Sequence, residues 1–249
     1  MVKIQLIDLF VLTWFIACWA GYTYFAKRKS ATTASLVAAM RLYRREWFKR
    51  VLQHENRIAD VAAFNSLLTG ATFFASTAIL ILGGLVAMLG TTDRVMDVVA
   101  ELPFARPESE LFSRIKILLM IGVFVYTFFK FTWSIRQYHF CTVLVGAAPL
   151  QKEPHEHDEY VDTMTKVASH AAEDFNQGLR AFYFAFAAIA WFFHPWLSVA
   201  SSALVVYILY QREFQSRTLR ALTAPSTVSR SLHLPENTFS ELHLNPRVA

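Results

Sequence analysis

The run AFYFAFAAIAWFFHPWLSVASSALVVYILY, Ala181–Tyr210, holds thirty residues without an Asp, Glu, Lys or Arg. An uncharged run of this length is typical of a segment that lies in lipid. As one straight helix it would measure about 45 Å, against about 30 Å for the hydrocarbon core of a bilayer. Because Pro195 follows His194 at its middle, we predict two short helices, about 180–193 and 196–212, that turn at His194 and Pro195. The alternative is one helix kinked at the proline.

Three more apolar segments precede this run, at about 4–26, 61–89 and 115–133. About twenty apolar residues cross a bilayer as a helix, so each segment is long enough. The first lacks the basic flank and the cleavage site of a secretory signal, so we expect an uncleaved anchor. The chain is 55% hydrophobic and has 22 Phe, which is more apolar area than one soluble core needs.

These segments predict an all-α, polytopic integral membrane helical bundle whose long helices extend into a cytoplasmic helical layer. Residues 1–222 form the membrane-embedded domain with its cytoplasmic helices, and 223–249 form a polar C-terminal tail. The block 27–60 holds nine Lys and Arg, whereas 90–114 holds three together with five acids. Because Lys and Arg resist translocation, the basic block is predicted to be cytoplasmic and the N-terminus periplasmic, in a bacterial inner membrane. Arg212, Arg217 and Arg220 favour a cytoplasmic C-terminus.

Within the basic block, apolar residues recur at helical spacing from Leu36 to Ile58, with Thr32 or Thr33 as the candidate cap. The remaining arc is cationic. Such a helix is typical of one that lies on anionic lipid, which predicts contacts with anionic lipid at Arg41, Arg44, Arg45 and Lys49. The alternative is a cytoplasmic helix that packs on its neighbours, facing an acidic helix at about 159–175. No base-reading or stacking motif accompanies the cations, so we expect no nucleic-acid binding.

Polar residues inside the apolar helices are the candidate site. The second segment carries a hydroxyl stripe at intervals of four, three and four: Asn65, Thr69, Thr72 and Ser76. Small and hydroxyl residues let helices approach closely, and Ala181, Ala185 and Ala188 offer a matching smooth face. The third segment carries a second stripe: Lys130, Ser134, Gln137 and Cys141. Lys130 follows a long apolar stretch, and together with Arg136 and Arg180 it predicts a positive vestibule that favours an anionic solute or a lipid headgroup.

Other chemistry is weakly indicated. Five possible metal ligands occupy adjacent positions from His155 to Glu159, but neighbours in a loop point away from each other, so we predict a solvated acidic turn and no metal site. The sequence shows no phosphate loop, dinucleotide fingerprint, zinc-protease helix or nucleophile elbow, so we predict neither an enzyme nor a cofactor. Cys18 and Cys141 give no disulfide framework.

Five strings carry a resemblance to a known family: Glu55–Ile58, Phe129–Gln137, Gly146–Pro149, Phe175–Arg180 and Tyr210–Phe214. From about Ile7 to Leu222 the chain resembles the bacterial membrane-protein family of domain of unknown function 599, which also has plant relatives. The resemblance implies a multi-pass membrane fold. It implies no established activity, substrate or catalytic residue.

Three or four spans hardly enclose a polar path within one protomer. A path lined by Lys130 and the hydroxyl stripe therefore requires several copies, and a closed ring is the economical symmetric arrangement. We expect a homo-oligomeric channel or transport-type protein with an anion-leaning path. The competing interpretation is an accessory or scaffold subunit of a larger membrane complex.

Overall fold

The computed structural model describes residues 6–91, 110–149 and 154–223, of which 92% are helical and none lies in a strand. The helices in chain order are α1 (Leu6–Thr32), α2 (Leu36–Val51), α3 (Ile58–Gly90), α4 (Glu110–Ala147), α5 (Pro154–Ile189), α6 (Pro195–Phe214) and α7 (Arg217–Thr223), with a 3₁₀ turn at Ala190–Phe192. The predicted class, an all-α membrane bundle, is confirmed. Most of the predicted tail 223–249 lies outside the described residues.

Three helices are long and apolar enough to cross a membrane, over Leu6–Ser30, Ile58–Gly90 and Leu111–Ala147. α3 and α4 have 33 and 38 residues, so each is about 50 Å long or more and exceeds the hydrocarbon thickness. The predicted segment 61–89 covers nearly all of α3, whereas α4 continues well beyond the predicted segment 115–133, to Ala147.

α5 is longer than the sequence predicted. The acidic helix expected at about 159–175 and the half-helix expected at about 180–193 form one helix of 36 residues. The stretch between them contains one glycine and no proline, so nothing in it removes a backbone hydrogen bond. The chain breaks later, where the amides of Phe193 and His194 both donate to the Ala190 carbonyl, at 3.3 and 3.2 Å. Pro195 then opens α6 at the position where its missing N–H is least costly.

α5 and α6 form an antiparallel hairpin. The hydroxyls of Ser198 and Ser201 donate to the carbonyl oxygen of Ala187, at 3.4 and 3.3 Å. In one continuous helix Ala187 and Ser201 would lie about 21 Å apart along the axis. The contacts therefore exclude the single kinked helix and agree with the predicted pair of helices.

The described chain belongs to two compact units. Unit 1 comprises Met1–Tyr24, Thr72–Thr132 and Phe175–Leu209, and unit 2 comprises Phe25–Ala71, Trp133–Asp174 and Tyr210–Ala249. Several helices contribute to both units, because α1, α3, α4, α5 and α6 each pass a unit boundary.

Aromatic rings fill the interior of unit 1. Phe124 of α4 meets Phe182 of α5 with the ring centres 5.4 Å apart, and Phe131 meets Phe175 at 5.5 Å. This order shows that α4 and α5 are antiparallel. Phe74 of α3 completes the group by contacting Phe131, Phe175 and Phe182.

α1 also runs antiparallel to α5 inside unit 1. Asp8, near the start of α1, contacts Trp191 beyond the end of α5, and Phe15 contacts Phe184 one to two turns earlier in α5. Because α6 returns antiparallel to α5, α6 runs in the same direction as α1.

Unit 2 has a continuous hydrophobic core built from α2, α3, α4 and α5. Its buried members are Phe48, Val51, Leu52, Phe64, Leu68, Tyr138, Cys141, Val145, Ala148, Val161, Met164, Ala168 and Ala171. The indole of Trp47 stacks on Phe64 at 5.0 Å. α2 therefore turns its apolar face into protein, and Cys141 is a packing residue.

The predicted start of α2 is wrong. Ser35 is the cap, and its hydroxyl accepts a hydrogen bond from the Ala38 amide at 3.2 Å. Thr32 cannot serve as the cap because it is the last residue of α1, and the amide of Thr33 still donates to the Lys29 carbonyl. α2 ends at Val51, and Ile58, which the periodicity assigned to the same helix, begins α3.

Candidate functional site

Two cations of unit 1 lie over tyrosine rings. The Lys130 ammonium is 5.7 Å from the ring centre of Tyr126 on the same helix, α4. The guanidinium carbon of Arg180, on α5, is 5.6 Å from the ring centre of Tyr22 on α1. Both cations are half-buried. Aromatic faces attract cations, with about 0.5–2 kcal/mol per contact.

A second layer of contacts joins these pairs. The ring of Trp19 meets Tyr126 edge-on at 5.3 Å, and the Tyr126 hydroxyl donates to the Gln177 side-chain oxygen at 3.4 Å. Trp19 and Gln177 each lie one helical turn before a residue of the Arg180–Tyr22 pair. We name the six residues the cation–tyrosine cluster: Trp19, Tyr22, Tyr126, Lys130, Gln177 and Arg180.

The described residues of unit 1 include more cations than acids. Within its described ranges the sequence has four cations, Arg114, Lys116, Lys130 and Arg180, against two acids, Asp8 and Glu110. Both acids lie in the first turn of a helix, whereas Lys130 and Arg180 lie far inside α4 and α5. The cluster can therefore stabilise a negative charge placed beside it.

Gly178 brings α5 close to α4 between Gln177 and Arg180. A Cβ added at this glycine would lie 2.8 Å from Cε1 of Phe131, which is closer than real Cβ contacts. Two of the family-like strings, Phe129–Gln137 and Phe175–Arg180, thus pack against each other at a contact that only glycine permits. The same contact fixes where Arg180 projects from α5.

Ser134 and Gln137 lie in a packing contact within unit 2. The Ser134 hydroxyl donates to the Ala171 carbonyl at 2.7 Å, and the Gln137 amide donates to the Asp174 carboxylate at 2.6 Å. Both side chains are buried. The structure therefore joins these residues to α5, while Arg136 lies on the exposed side of α4.

The hydroxyl stripe of α3 faces outward. Asn65, Thr69, Thr72 and Ser76 are all exposed. The buried side of α3 instead presents the alanines Ala71, Ala75 and Ala78. Ala181, Ala185 and Ala188 are buried as well, so the predicted contact between the stripe and these alanines is wrong. The row of alanines is smoother than the hydroxyl row, which lets neighbouring helices approach α3 more closely on that side.

The sequence interpretation missed a buried lysine. Lys116 is 1% exposed, and its ammonium donates to the Trp191 carbonyl at 3.1 Å. The rings of Phe112, Trp191 and Phe192 surround it at 5.2–5.8 Å. The Trp191 indole donates to Asp8 at 3.3 Å. These contacts hold the turn between α5 and α6, where helix C-terminal carbonyls favour a cation. The sequence feature that could have revealed it is the position of Lys116 at the start of the predicted apolar segment 115–133.

A second missed cation lies in unit 2. Arg57 donates to the carbonyl oxygens of Val145, Ala148 and Pro149 at 3.1, 2.6 and 3.3 Å. These are carbonyls at the end of α4 that lack partners inside the helix. Arg57 therefore joins the strings Glu55–Ile58 and Gly146–Pro149.

Asp60 holds the corner between α2 and α3. It is buried and accepts hydrogen bonds from the Trp47 indole and the His54 imidazole, both at 2.9 Å. A carboxylate in the first turn of α3 also interacts favourably with the helix dipole.

The cations of α2 divide between protein and solvent. Arg45 pairs with Asp162 at 3.0 Å, and Arg44 donates to the Ser169 hydroxyl at 3.3 Å. Burial lowers the pKa of Arg44 from its usual value. The acidic part of α5 thus faces α2, as the alternative interpretation expected. Arg41 is exposed and Lys49 is half-buried, and the lipid contacts predicted for the four cations stay a prediction.

Metal ligands do not cluster in the described part of the chain. No group of three or more His, Cys, Asp or Glu residues is placed there to hold a metal ion. The side chains of His155 and Glu156, in the predicted acidic turn, lie outside the described residues.

Comparison with known proteins gives one family. The model of the family described as "Protein of unknown function, DUF599" matches residues 10–218, which is most of the chain. No curated protein and no solved structure matches. The matched range contains the cation–tyrosine cluster, Lys116, Arg57 and all five strings that carried the resemblance. The chain therefore belongs to the DUF599 family of proteins of unknown function.

Proposed function

We propose that this membrane protein is a homo-oligomeric channel or transport-type protein that conducts an anion past the cation–tyrosine cluster. The observation that carries the proposal is the placement of Lys130 over the ring of Tyr126 and of Arg180 over the ring of Tyr22, residues that belong to three helices of unit 1. A cation that borders a long uncharged stretch of a membrane helix is costly and commonly marks a functional path. The proposal includes no enzymatic activity and no cofactor.

The chemistry of the cluster supports this proposal. A tyrosine face attracts a cation without transferring a proton, so Lys130 and Arg180 keep their charge in these contacts. An approaching anion can gain a charge-assisted hydrogen bond from the lysine or the arginine. Conduction also requires that the anion bind weakly enough to leave.

We further propose that the chain lies in the inner membrane with its N-terminus in the periplasm. The charge of the segment 27–60 supports this orientation. The helix directions in unit 1 extend it: α6 runs parallel to α1, so it ends on the side where the basic segment follows α1. The C-terminus is then cytoplasmic, and the α5–α6 hairpin adds two crossings to the three apolar spans.

The outward stripe of α3 supports self-association. Of the three apolar spans, α3 buries the smallest share of its residues. Thr72 and Ser76 are exposed on it. A hydroxyl group that faces lipid has partners only in its own helix, as Thr69 has in the Asn65 carbonyl, whereas a second copy offers both close packing and hydrogen bonds between helices. A ring of copies would place several clusters around one axis.

Ion flux in liposomes tests this function. Purified protein is reconstituted, and the efflux of chloride and of nitrate is measured with and without a membrane potential. We expect wild-type protein to conduct anions in preference to potassium, and Lys130→Met to lower the anion flux at least tenfold. Lys49→Met removes a cation from unit 2 and serves as the matched control, with unchanged flux.

Copy number provides the second measurement. Particle images in mild detergent should show a ring. A monomer, or equal flux for wild type and Lys130→Met at normal folding, overturns the proposal.

The second candidate function is an accessory or scaffold subunit, and the same exposed stripe favours it, because a different membrane protein can cover α3 equally well. Under this function, purified protein is monomeric and inert in liposomes. It then recovers a stable complex only with its partner, and Thr72→Leu with Ser76→Leu abolishes that complex.

A further inference from the structure

The outer side of α4 in unit 2 carries an arginine between two exposed aromatic rings. Tyr138, Cys141 and Val145 face the unit 2 core. The opposite side presents Trp133, Arg136, Phe140 and Val143, and the three apolar residues are 45–68% exposed. An apolar surface of this kind, with a cation at its centre, is suited to an amphipathic ligand.

Arg136 lies close to two rings of this surface. Its guanidinium carbon lies 5.6 Å from the ring centre of Trp133 and 5.7 Å from that of Phe140. The rings belong to residues three positions before and four positions after it, so they flank the guanidinium along the helix. In the described part of the chain Arg136 makes cation–π contacts with these two rings, and it forms no hydrogen bond or ion pair with a carboxylate or a carbonyl. A planar, always charged fork with open N–H groups matches phosphate geometry.

The position along α4 fits the headgroup region of a bilayer. Twenty residues counted from Leu111 span about 30 Å and end near Lys130. Trp133, Arg136 and Phe140 occupy the next turns, where tryptophan is enriched at the membrane interface. The orientation proposed above makes this the cytoplasmic leaflet, which carries the anionic lipids.

We propose that Trp133, Arg136 and Phe140 form a binding site for the phosphate of an anionic phospholipid. Arg136 takes the phosphate through its N–H groups, and the two rings and Val143 contact the glycerol backbone and the first carbons of the acyl chains. The inference rests on the proposed orientation but not on anion transport.

The alternatives fit the surface less well. A free anion would satisfy Arg136 but would make no apolar contact with either ring. A second copy packed about a two-fold axis at Arg136 would bring two arginines together, and like charges at an interface cost affinity. A phospholipid covers the charge and the apolar area with one molecule.

Native mass spectrometry of the full chain tests the site. The protein is placed in nanodiscs that contain equal amounts of phosphatidylglycerol and phosphatidylcholine, then released, and the lipids that remain bound are counted. We expect wild-type protein to retain phosphatidylglycerol in preference to phosphatidylcholine. Arg136→Gln should reduce this preference about tenfold, the loss expected for one charge-assisted pair. Arg136→Lys should be intermediate, because it keeps the charge without the planar fork.

Arg217→Gln is the matched control, since Arg217 is an exposed cation of unit 2 in α7 and its loss changes the net charge equally. Circular dichroism and gel filtration confirm that each variant is folded. Equal retention in wild type and Arg136→Gln overturns the proposal. Displacement of phosphatidylglycerol by inorganic phosphate alone overturns it in favour of a free anion. A dimer that disappears in Arg136→Gln overturns it in favour of a second copy. Anion flux through Lys130 is measured separately, so failure of one proposal leaves the other standing.

Discussion

The cations of the two units make different contacts. In unit 1, Lys116 contacts a carbonyl and three rings, and Lys130 and Arg180 lie over tyrosine faces. In unit 2, Arg45 contacts the carboxylate of Asp162 and Arg57 contacts three carbonyls. Aromatic rings thus take part in holding all three of these unit 1 cations, whereas oxygen acceptors hold the two cations of unit 2.

The side chains that pack in the interiors of the two units also differ. Unit 2 buries bulky side chains such as Phe48, Val51 and Met164 in one core. Unit 1 also buries aromatic rings, such as Phe124 and Phe184, and adds rows of alanines and a glycine contact that bring its helices together. In water the burial of apolar area drives packing, whereas in lipid the gain comes from close contact. The difference predicts that equal truncations have unequal costs.

The largest expected effect is the stability cost of truncating a buried phenylalanine, compared between the two units. Phe48→Ala, in unit 2, should cost about 3–5 kcal/mol of local stability, because it loses transfer free energy and leaves a cavity. Phe184→Ala, at a fully buried position in unit 1, should cost about half as much, because lipid solvates phenylalanine in the unfolded reference state. Hydrogen exchange of the protein in micelles, resolved for the amides of each unit, measures both values. Equal costs would show that the units share one kind of solvent.

Arg57→Met tests the carbonyl compensation in unit 2. It leaves the carbonyls of Val145, Ala148 and Pro149 without their donor, and we expect a loss of about 2–3 kcal/mol. Exchange should accelerate first at the C-terminal amides of α4. Arg57→Lys keeps the charge near the helix end and should recover part of the loss. Unchanged exchange in Arg57→Met would contradict the assignment of Arg57 as the cap of α4.

Gly178→Ala tests the close contact in unit 1. The new methyl group must displace the Phe131 ring, so we expect a loss of about 1–3 kcal/mol despite the higher helix propensity of alanine. Gly84→Ala is the matched control, because a Cβ at Gly84 meets nothing within 4 Å, and it should be neutral or stabilising. Phe131→Leu combined with Gly178→Ala should recover stability relative to the sum of the single changes. Additive losses would show that the ring and the glycine do not interact.

Much of the fold was predictable because lipid imposes a simple pattern. The uncharged run before and after Pro195 predicted the hairpin, and the apolar segments predicted the centres of the long helices. The exact ends of the helices were harder to predict. Thr32, Thr33 and Ser35 all belong to residue types that cap helices, and the length of α1 decides among them. The continuity of α5 was missed because the polar stretch before Arg180 contains no proline and so does not break the helix.

The site was predictable only in part, for a related reason. Lys130 was recognisable because it interrupts an apolar stretch, and Arg180 because it directly precedes the uncharged run. Lys116 and Arg57 find their acceptors 75 and 88 residues away in the chain, so nothing in their neighbourhood predicts the contact. The orientation of the hydroxyl stripe was also open, since spacing shows which residues share a face but not which neighbour that face meets.

The smallest expected effect concerns the exposed ion pair of unit 2. Arg45 and Asp162 are 44% and 48% exposed, so their coupling energy should be below about 1 kcal/mol and should weaken as salt is added. A double-mutant cycle of Arg45→Gln and Asp162→Asn measures it through unfolding of unit 2, with Arg41→Gln as an exposed control that should show no coupling. A coupling energy of several kcal/mol that does not change with salt concentration would mean that this pair is shielded from water. The interpretation of Arg45 and Asp162 as a pair exposed to solvent would then fail.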